Sequence, residues 1–236
     1  MKLIYSKVDK NMFFPDPYEA PDDYPLAYGG DLSIDRLLFA YSNGIFPWYS
    51  EGEPILWWSP NPRMVLFPSD LKVSRSLRKV IKNKGFEVKF DTNFEKVINM
   101  CATVYRKGQD GTWITPEMIE AYVQLHKAGF AHSVETYLNG KLVGGLYGVS
   151  IGRTFFGESM FHLVSNASKV AFVYLIERLK KWQFDMIDCQ QSSQHMANFG
   201  AVEIPRNKFL DILKSSVKKP TLVGNWNNPR EIILNV

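Results

Sequence analysis

His132-Ser133-Val134-Glu135-Thr136-Tyr137-Leu138-Asn139-Gly140-Lys141-Leu142-Val143 decides the fold. Its two halves favour extended backbone. Asn139-Gly140 between them suits a two-residue hairpin turn, in which both central residues take positive φ. A second turn at Ile151-Gly152 separates the strand Leu142 to Ser150 from another, Arg153 to Phe161. The spacing therefore predicts three strands in an antiparallel meander. Asn166 or Ser168 then precedes a long helix, expected from near Val170 to Trp182, and Phe184 to Gln190 returns as a strand. A helix between two strands is a crossover of the parallel type, so the sheet is expected to be mixed.

Upstream, Phe86-Glu87-Val88-Lys89-Phe90 alternates as a strand, and Thr92 or Asn93 caps a helix to near Thr103. A loop over 107–113 follows. Thr115-Pro116-Glu117 opens another helix, with Pro in the first turn, and Ala128-Gly129 closes it. Nearer the start, Ile34 to Ser42 reads as a helix capped by Asp31 or Ser33, Met64 to Phe67 as a strand, and Ser74 to Lys82 as a basic amphipathic helix with Val73, Leu77, Val80 and Ile81 on its apolar side. Downstream, a short helix around Gln194–Phe199 ends at Gly200, and the tail after Pro220 is expected to be extended or poorly ordered. The fold class is α+β. A small N-terminal α/β domain, residues 1–85, carries the basic helix. It packs on a larger C-terminal domain, residues 86–236, with a mixed sheet flanked by helices.

At 236 residues and 45% hydrophobic, the chain is long and apolar enough for a globular core. No apolar run approaches the roughly 20 residues that span a bilayer, and the start lacks the apolar core of a secretory signal. A soluble cytoplasmic protein is expected, with no membrane partner, and a monomer. Cys101 and Cys189 are expected as reduced thiols. Neither they nor His126, His132, His162 and His195 have metal-ligand spacing, so no metal is expected. The charge is uneven. The first 53 residues are acidic, whereas 72–84 carries Lys72, Arg75, Arg78, Lys79, Lys82 and Lys84 with no acid. That run is either a solvated helix face or a polyanion-binding one, with Arg75, Arg78, Lys79 and Lys82 as nucleic-acid contacts.

Two carboxylates stand in apolar strands, where a charge is costly unless it is paired or used. Glu158 lies in Phe155-Phe156-Gly157-Glu158-Ser159-Met160-Phe161, where Gly157 invites a bulge or a close ligand approach. Asp188 and Gln190 are two apart on a strand and are expected to leave by one face at its C-terminal end. Each is either a structural polar residue or part of a site. Gly144, Gly145 and Gly148 either twist a hairpin or let a substrate backbone approach the sheet. Trp48 and Trp57-Trp58 either fill a core or stack on nucleobases beside the basic helix. Leu146, Phe155, Phe172, Leu175 and Ile187 are either ordinary core or the wall of a pocket for a Leu or Phe side chain.

Gly44-Ile45-Phe46-Pro47-Trp48, Leu56-Trp57-Trp58-Ser59-Pro60, Gly111-Thr112-Trp113-Ile114-Thr115, Gly157-Glu158-Ser159-Met160-Phe161, Asn166-Ala167-Ser168-Lys169 and Ile187-Asp188-Cys189-Gln190, together with Phe199-Gly200-Ala201, resemble the leucyl/phenylalanyl-tRNA–protein transferase family. In order and at family-like spacing, they cover residues 13–213. The resemblance implies a larger domain like the acyl-CoA N-acetyltransferase fold, and transfer of Leu, Phe or Met from aminoacyl-tRNA to a protein's N-terminal Arg or Lys, which marks it for N-end rule degradation. It implies no cofactor, neither metal nor coenzyme A. Glu158, Asp188 and Gln190 fall on its catalytic positions. Trp48, Trp113, Leu146, Phe155, Phe172, Leu175 and Ile187 fall on its substrate positions. Phe172 and Leu175 exchange large and small side chains relative to the family pattern, which leaves the choice among Leu, Phe and Met open. On this reading Asp188 attracts and orients the acceptor α-ammonium and helps Gln190 handle its proton. Glu158 orients Gln190 or contacts the basic acceptor. An acetyl-CoA enzyme is disfavoured because His162 to Ser168, before the long helix, contains no glycine. A peptidoglycan-bridge transferase is disfavoured because no duplicated domain is visible. A non-catalytic RNA-binding module would leave Glu158 and Asp188 unexplained.

Overall fold

The computed structural model describes residues 6–8, 13–104 and 113–232; the loop expected over 107–113 lies, through Thr112, outside them. The chain runs β1 (Ser6–Val8), β2 (Ala27–Gly29), α1 (Ile34–Ser42), β3 (Phe46–Pro47), β4 (Leu56–Trp58), β5 (Arg63–Leu66), α2 (Arg75–Asn83), β6 (Glu87–Phe90), α3 (Phe94–Thr103) and α4 (Pro116–Lys127). It continues β7 (Ala131–Leu138), β8 (Lys141–Ile151), β9 (Thr154–His162), α5 (Ala167–Lys181), β10 (Met186–Gln190), α6 (Gln194–Ala197), β11 (Val202–Ile204), α7 (Arg206–Ser216), β12 (Thr221–Val223) and β13 (Arg230–Ile232).

The predicted meander is β7, β8 and β9. Asn139 and Gly140 at its first turn take φ of 51° and 72°, both positive, as a tight hairpin requires. Crossover through α5 brings β10 alongside β9 in parallel, and every other pair in the large sheet is antiparallel. The order is β11-β5-β10-β9-β8-β7-β6, with a smaller sheet β1-β2-β4-β3 beside it. The fold is thus mixed α+β. The sheets divide between Trp58 and Arg63 rather than at residue 85. All four residues of β5 are buried, and such a strand must sit inside a sheet covered on both faces. The basic helix α2 also lies against α5 of the larger unit.

Strand alternation sorts the interior into two cores. Val65, Tyr147, Phe156 and Met186 face a core built with α1, α3, α4 and α7, while Leu66, Leu146, Phe155 and Ile187 face one built with α2 and α5. Helix α7 lies outside the elements expected from sequence, although Phe209, Leu210, Leu213 and Val217 are spaced to bury one helical face. The tail, expected to be extended or poorly ordered, is extended and ordered. β12 and β13 form a hairpin. Between them Trp226 is buried, stacked 3.9 Å from the His132 ring, and its backbone N–H donates to Asp91 Oδ2 at 2.8 Å. One large aromatic ring supplies the apolar anchor that the tail's short strands lack.

The glycines of β8 do not open a path for substrate. A Cβ on Gly144 would stand 2.5 Å from Ala167 Cβ, and one on Gly148 2.2 Å from the Phe156 carbonyl oxygen. They let α5 and the neighbouring strand pack at backbone range. Gly144→Ala is expected to lower stability by about 1–3 kcal/mol through overpacking, measured by urea denaturation; an unchanged midpoint would contradict this packing role.

Candidate active site

The site lies where two parallel strands part. β9 and β10 pair only over Thr154–Phe156 with Met186–Asp188. Beyond that, β9 continues on β8, and Gln190 pairs with Met64 of β5. Each diverging strand carries a bulge at the fork. In β9 the register shifts so that Tyr147 faces Ser159 while Gly148 faces Gly157, leaving Glu158 as the extra residue. In β10, Asp188 faces Val65 and Gln190 faces Met64, leaving Cys189 extra. A bulge re-aims the side chains beside it, and here Gln190 also adopts a left-handed backbone with φ of 63°. The two bulges point Glu158 and Gln190 at each other, with Gln190 Nε2 donating to Glu158 Oε1 at 2.9 Å.

A cavity of about 470 Å³ fills the fork. Leu146, Phe155, Phe172, Leu175 and Ile187 all line it, so these five residues, though part of the core, also form a wall. Trp48, Trp113, Glu158 and Gln190 line it as well. The tryptophans divide their duties. Trp57 is core, with its indole N–H on the Gly29 carbonyl at 2.8 Å. Trp58 donates to the Trp48 carbonyl at 2.7 Å, and its ring packs 5.4 Å from that of Trp48, which reaches the cavity. Arg75, Arg78, Lys79 and Lys82 lie on α2 and do not line the cavity.

Asp188 departs from its expected place, on one face and in one task with Gln190. It is fully buried, and its carboxylate takes two hydrogen bonds from Arg63, Nε to Oδ1 at 2.8 Å and Nη2 to Oδ2 at 2.6 Å. Oδ1 also accepts the Gln190 backbone N–H at 2.9 Å. The carboxylate is neutralised by Arg63 and does not line the cavity. It holds the bulge and, through it, Gln190. The Arg63 guanidinium is itself packed between the rings of Phe46 and Phe209, 4.8 and 4.6 Å from their centroids.

Glu158 is half-buried. Tyr41 Oη donates to its Oε1 at 2.7 Å, Tyr122 Oη stands 3.2 Å from its Oε2, and the two phenol oxygens touch each other. Loss of water around the carboxyl raises its pKa from the ordinary 4.5 to about 7. Burial pushes the Cys189 thiol up, with the Asp188 charge adding to it, which favours the neutral thiol. Sequence reasoning misses Arg63, Tyr41 and Tyr122 as site residues. Tyr41 carries a faint signal, since it falls at helical spacing with Leu37 and Leu38 on the buried face of α1. Among the described residues, no group of three or more His, Cys, Asp or Glu comes together to hold a metal.

An amide and a carboxyl converge on an apolar cavity, an arrangement suited to a transferase that handles an apolar acyl group. The chain belongs to the leucyl/phenylalanyl-tRNA protein transferase family, whose profile matches residues 65–214, with its N-terminal domain matching 30–61. Relatives bearing the name leucyl/phenylalanyl-tRNA–protein transferase include one from Myxococcus xanthus, 57% identical over 90% of this chain and 91% of its own. Another, from Nitratidesulfovibrio vulgaris, is 52% identical over 98% of both chains. Among solved structures, L-PGS from Bacillus licheniformis aligns at 11% identity with a TM-score of 0.40, over 72% of this chain and 54% of that one, a likeness too slight to bear on the fold.

Two outcomes follow from the buried charges. Asp188→Ala leaves Arg63 buried without its partner and should cost about 3–5 kcal/mol of stability; a loss below about 1 kcal/mol in denaturant melts would contradict the pairing. Glu158 holds its proton up to about 7 when folded but releases it near 4.5 when unfolded. The folded state therefore binds more protons within that window, and wild-type stability falls as pH rises through it. Glu158→Gln should gain in Tm over wild type between pH 4.5 and 7, and a constant difference across that range would contradict the buried carboxyl.

Proposed function

We propose that the chain moves Leu, Phe or Met from aminoacyl-tRNA to the α-amine of an N-terminal Arg or Lys of a protein, forming a peptide bond and marking that protein for N-end rule degradation. Family membership supports this reading. The Glu158–Gln190 pair at the polar end of an apolar cavity carries it. About 470 Å³ falls within the usual range of small-ligand sites, about 300–1,000 Å³. Leu146, Phe155, Phe172, Leu175 and Ile187 hold the aminoacyl side chain. Trp48 stacks on the terminal base, with Trp113 on the same cavity. Arg75, Arg78, Lys79 and Lys82 reach phosphates from the polar side of α2.

The donor ester is already activated. The acceptor α-amine has a pKa of about 7.7–8.0, so a useful fraction is neutral near pH 7. The amine nitrogen attacks the ester carbonyl, the bond from carbonyl carbon to ribose oxygen breaks, the nitrogen loses a proton and the ribose oxygen gains one. No strong base, metal or coenzyme A is needed for that balance, and fixing the two reactants side by side lowers the barrier by about 7–11 kcal/mol at best. Gln190 accepts an N–H of the amine through its amide oxygen and orients it. Glu158 fixes the Gln190 amide from the other side. Asp188 acts one step back, by fixing the Gln190 backbone. The divergence of β9 and β10 beside the acyl cavity supports an acyl-CoA N-acetyltransferase-like reading of the larger sheet.

The test is transfer of labelled Leu or Phe from charged tRNA to a peptide beginning with Arg or Lys, with an acetylated N-terminus as control. Ribonuclease-sensitive transfer to the free N-terminus alone is expected. Acetylation from acetyl-CoA without such transfer would overturn the donor, and tRNA binding without turnover would leave a binding module. Neutralising Arg75, Arg78 and Lys79 should weaken tRNA binding. It should also reduce the log–log salt slope by about 0.7–0.9 for each phosphate that α2 no longer neutralises. An unchanged slope would remove α2 from the interface.

A further inference from the structure

Three oxygen-bearing side chains close a triangle at the polar end of the cavity. Tyr41 Oη touches Tyr122 Oη, Tyr41 Oη lies 2.7 Å from Glu158 Oε1, and Tyr122 Oη lies 3.2 Å from Glu158 Oε2. Three such oxygen–oxygen approaches need three protons. The tyrosines supply two, and both keep them, because burial pushes their pKa values well above the ordinary 10.0. We infer that Tyr41 and Tyr122 are positioning residues that hold Glu158 as a neutral acid in a closed ring of three hydrogen bonds.

Gln190 sets the direction of the ring. Its Nε2 donates to Oε1, so Oε1 is the carbonyl oxygen and Oε2 carries the proton. Tyr122 then donates to Tyr41, Tyr41 to Oε1, and Oε2–H to Tyr122. Each phenol donates once and accepts once. With Glu158 ionised, both phenols would turn to the carboxylate, and the two touching phenol oxygens would face each other without a proton between them.

The surroundings offer little net charge to reverse this. Tyr41 and Tyr122 face the carboxyl from α1 and α4. Tyr147 of β8 lines the cavity beside it, and Tyr49 acts on Tyr122. From β10 come Gln190, the neutral Cys189 thiol, and Asp188, whose charge is answered by Arg63 of β5. A neutral Glu158 also suits the proposed reaction, and this consequence rests on that reading. A carboxylate beside the incoming α-ammonium would hold it protonated, whereas a neutral acid leaves more of it as the attacking amine.

The test is infrared difference spectroscopy of the full chain without substrate, titrated through neutrality. A protonated carboxylic acid band, assigned by its loss in Glu158→Gln, is expected well below neutrality and should fade as pH rises. Tyr122→Phe removes the clash between phenol oxygens on ionisation but leaves the carboxylate its Tyr41 and Gln190 donors. The band should then fade at a pH lower by about one unit. Tyr41→Phe, made separately, should shift it the same way. Absence of the band in acid, or an upward shift in both variants as expected for simple donors to a carboxylate, would overturn the ring. The band reports the ring whether or not aminoacyl transfer is found, so failure of the substrate reading is seen separately, in the transfer assay.

Discussion

The ion pair between Arg63 and Asp188 is the contact on which the rest of the site depends. Both side chains are within 1% of full burial, so neither charge is tolerable without the other. The two parallel hydrogen bonds lock β5 to β10 at the residue where β10 leaves β9. The guanidinium also joins units distant in sequence. It packs on Phe46 of β3, in the small sheet, and on Phe209 of α7. One buried cation thus registers the small sheet, the large sheet and the C-terminal helix around one strand end.

That anchoring lets the chain hold a costly local geometry. Gln190 is a non-glycine residue in the left-handed region, sparsely populated for L-residues. The Asp188 carboxylate, already fixed by Arg63, fixes it by accepting its N–H. The bulge in β9 supplies the partner, Glu158, which the α1 and α4 tyrosines hold from behind. The polar parts come from backbone irregularities at the fork and the apolar cavity from the regular alternation of the same strands. On the proposed reading, specificity for the acyl side chain and positioning of the reacting nitrogen have separate structural sources.

Much of this is legible in the sequence because it follows from periodicity. Asn139-Gly140 forces the β7–β8 hairpin, α1 occupies the residues that its spacing marks, and Thr115 caps α4 through the Met118 N–H. Spacing leaves the five apolar cavity residues and Trp48 open between core and site; the family resemblance marks them together with Glu158 and Gln190, and the fold brings them to one cavity. What sequence does not give depends on register. A one-residue shift at Cys189 separates the surroundings of Asp188 from those of Gln190, and strand alternation alone puts them together. Arg63 carries no signal in the sequence, since its partner lies 125 residues away. The order of the tail depends on contacts distant in sequence, with Trp226 docked against the His132, Phe155, Trp182 and Phe184 rings and its N–H on the Asp91 carboxylate.

The most direct measurement is a structure of the protein with an amide-linked leucyl- or phenylalanyl-adenosine, which mimics the ester without reacting. The account predicts the aminoacyl side chain against Phe172 and Leu175, the base on Trp48, and the amide carbon within reach of a nitrogen held by Gln190. An analogue bound away from this fork, or seated with its acyl group outside the cavity, would contradict the assignment of the site.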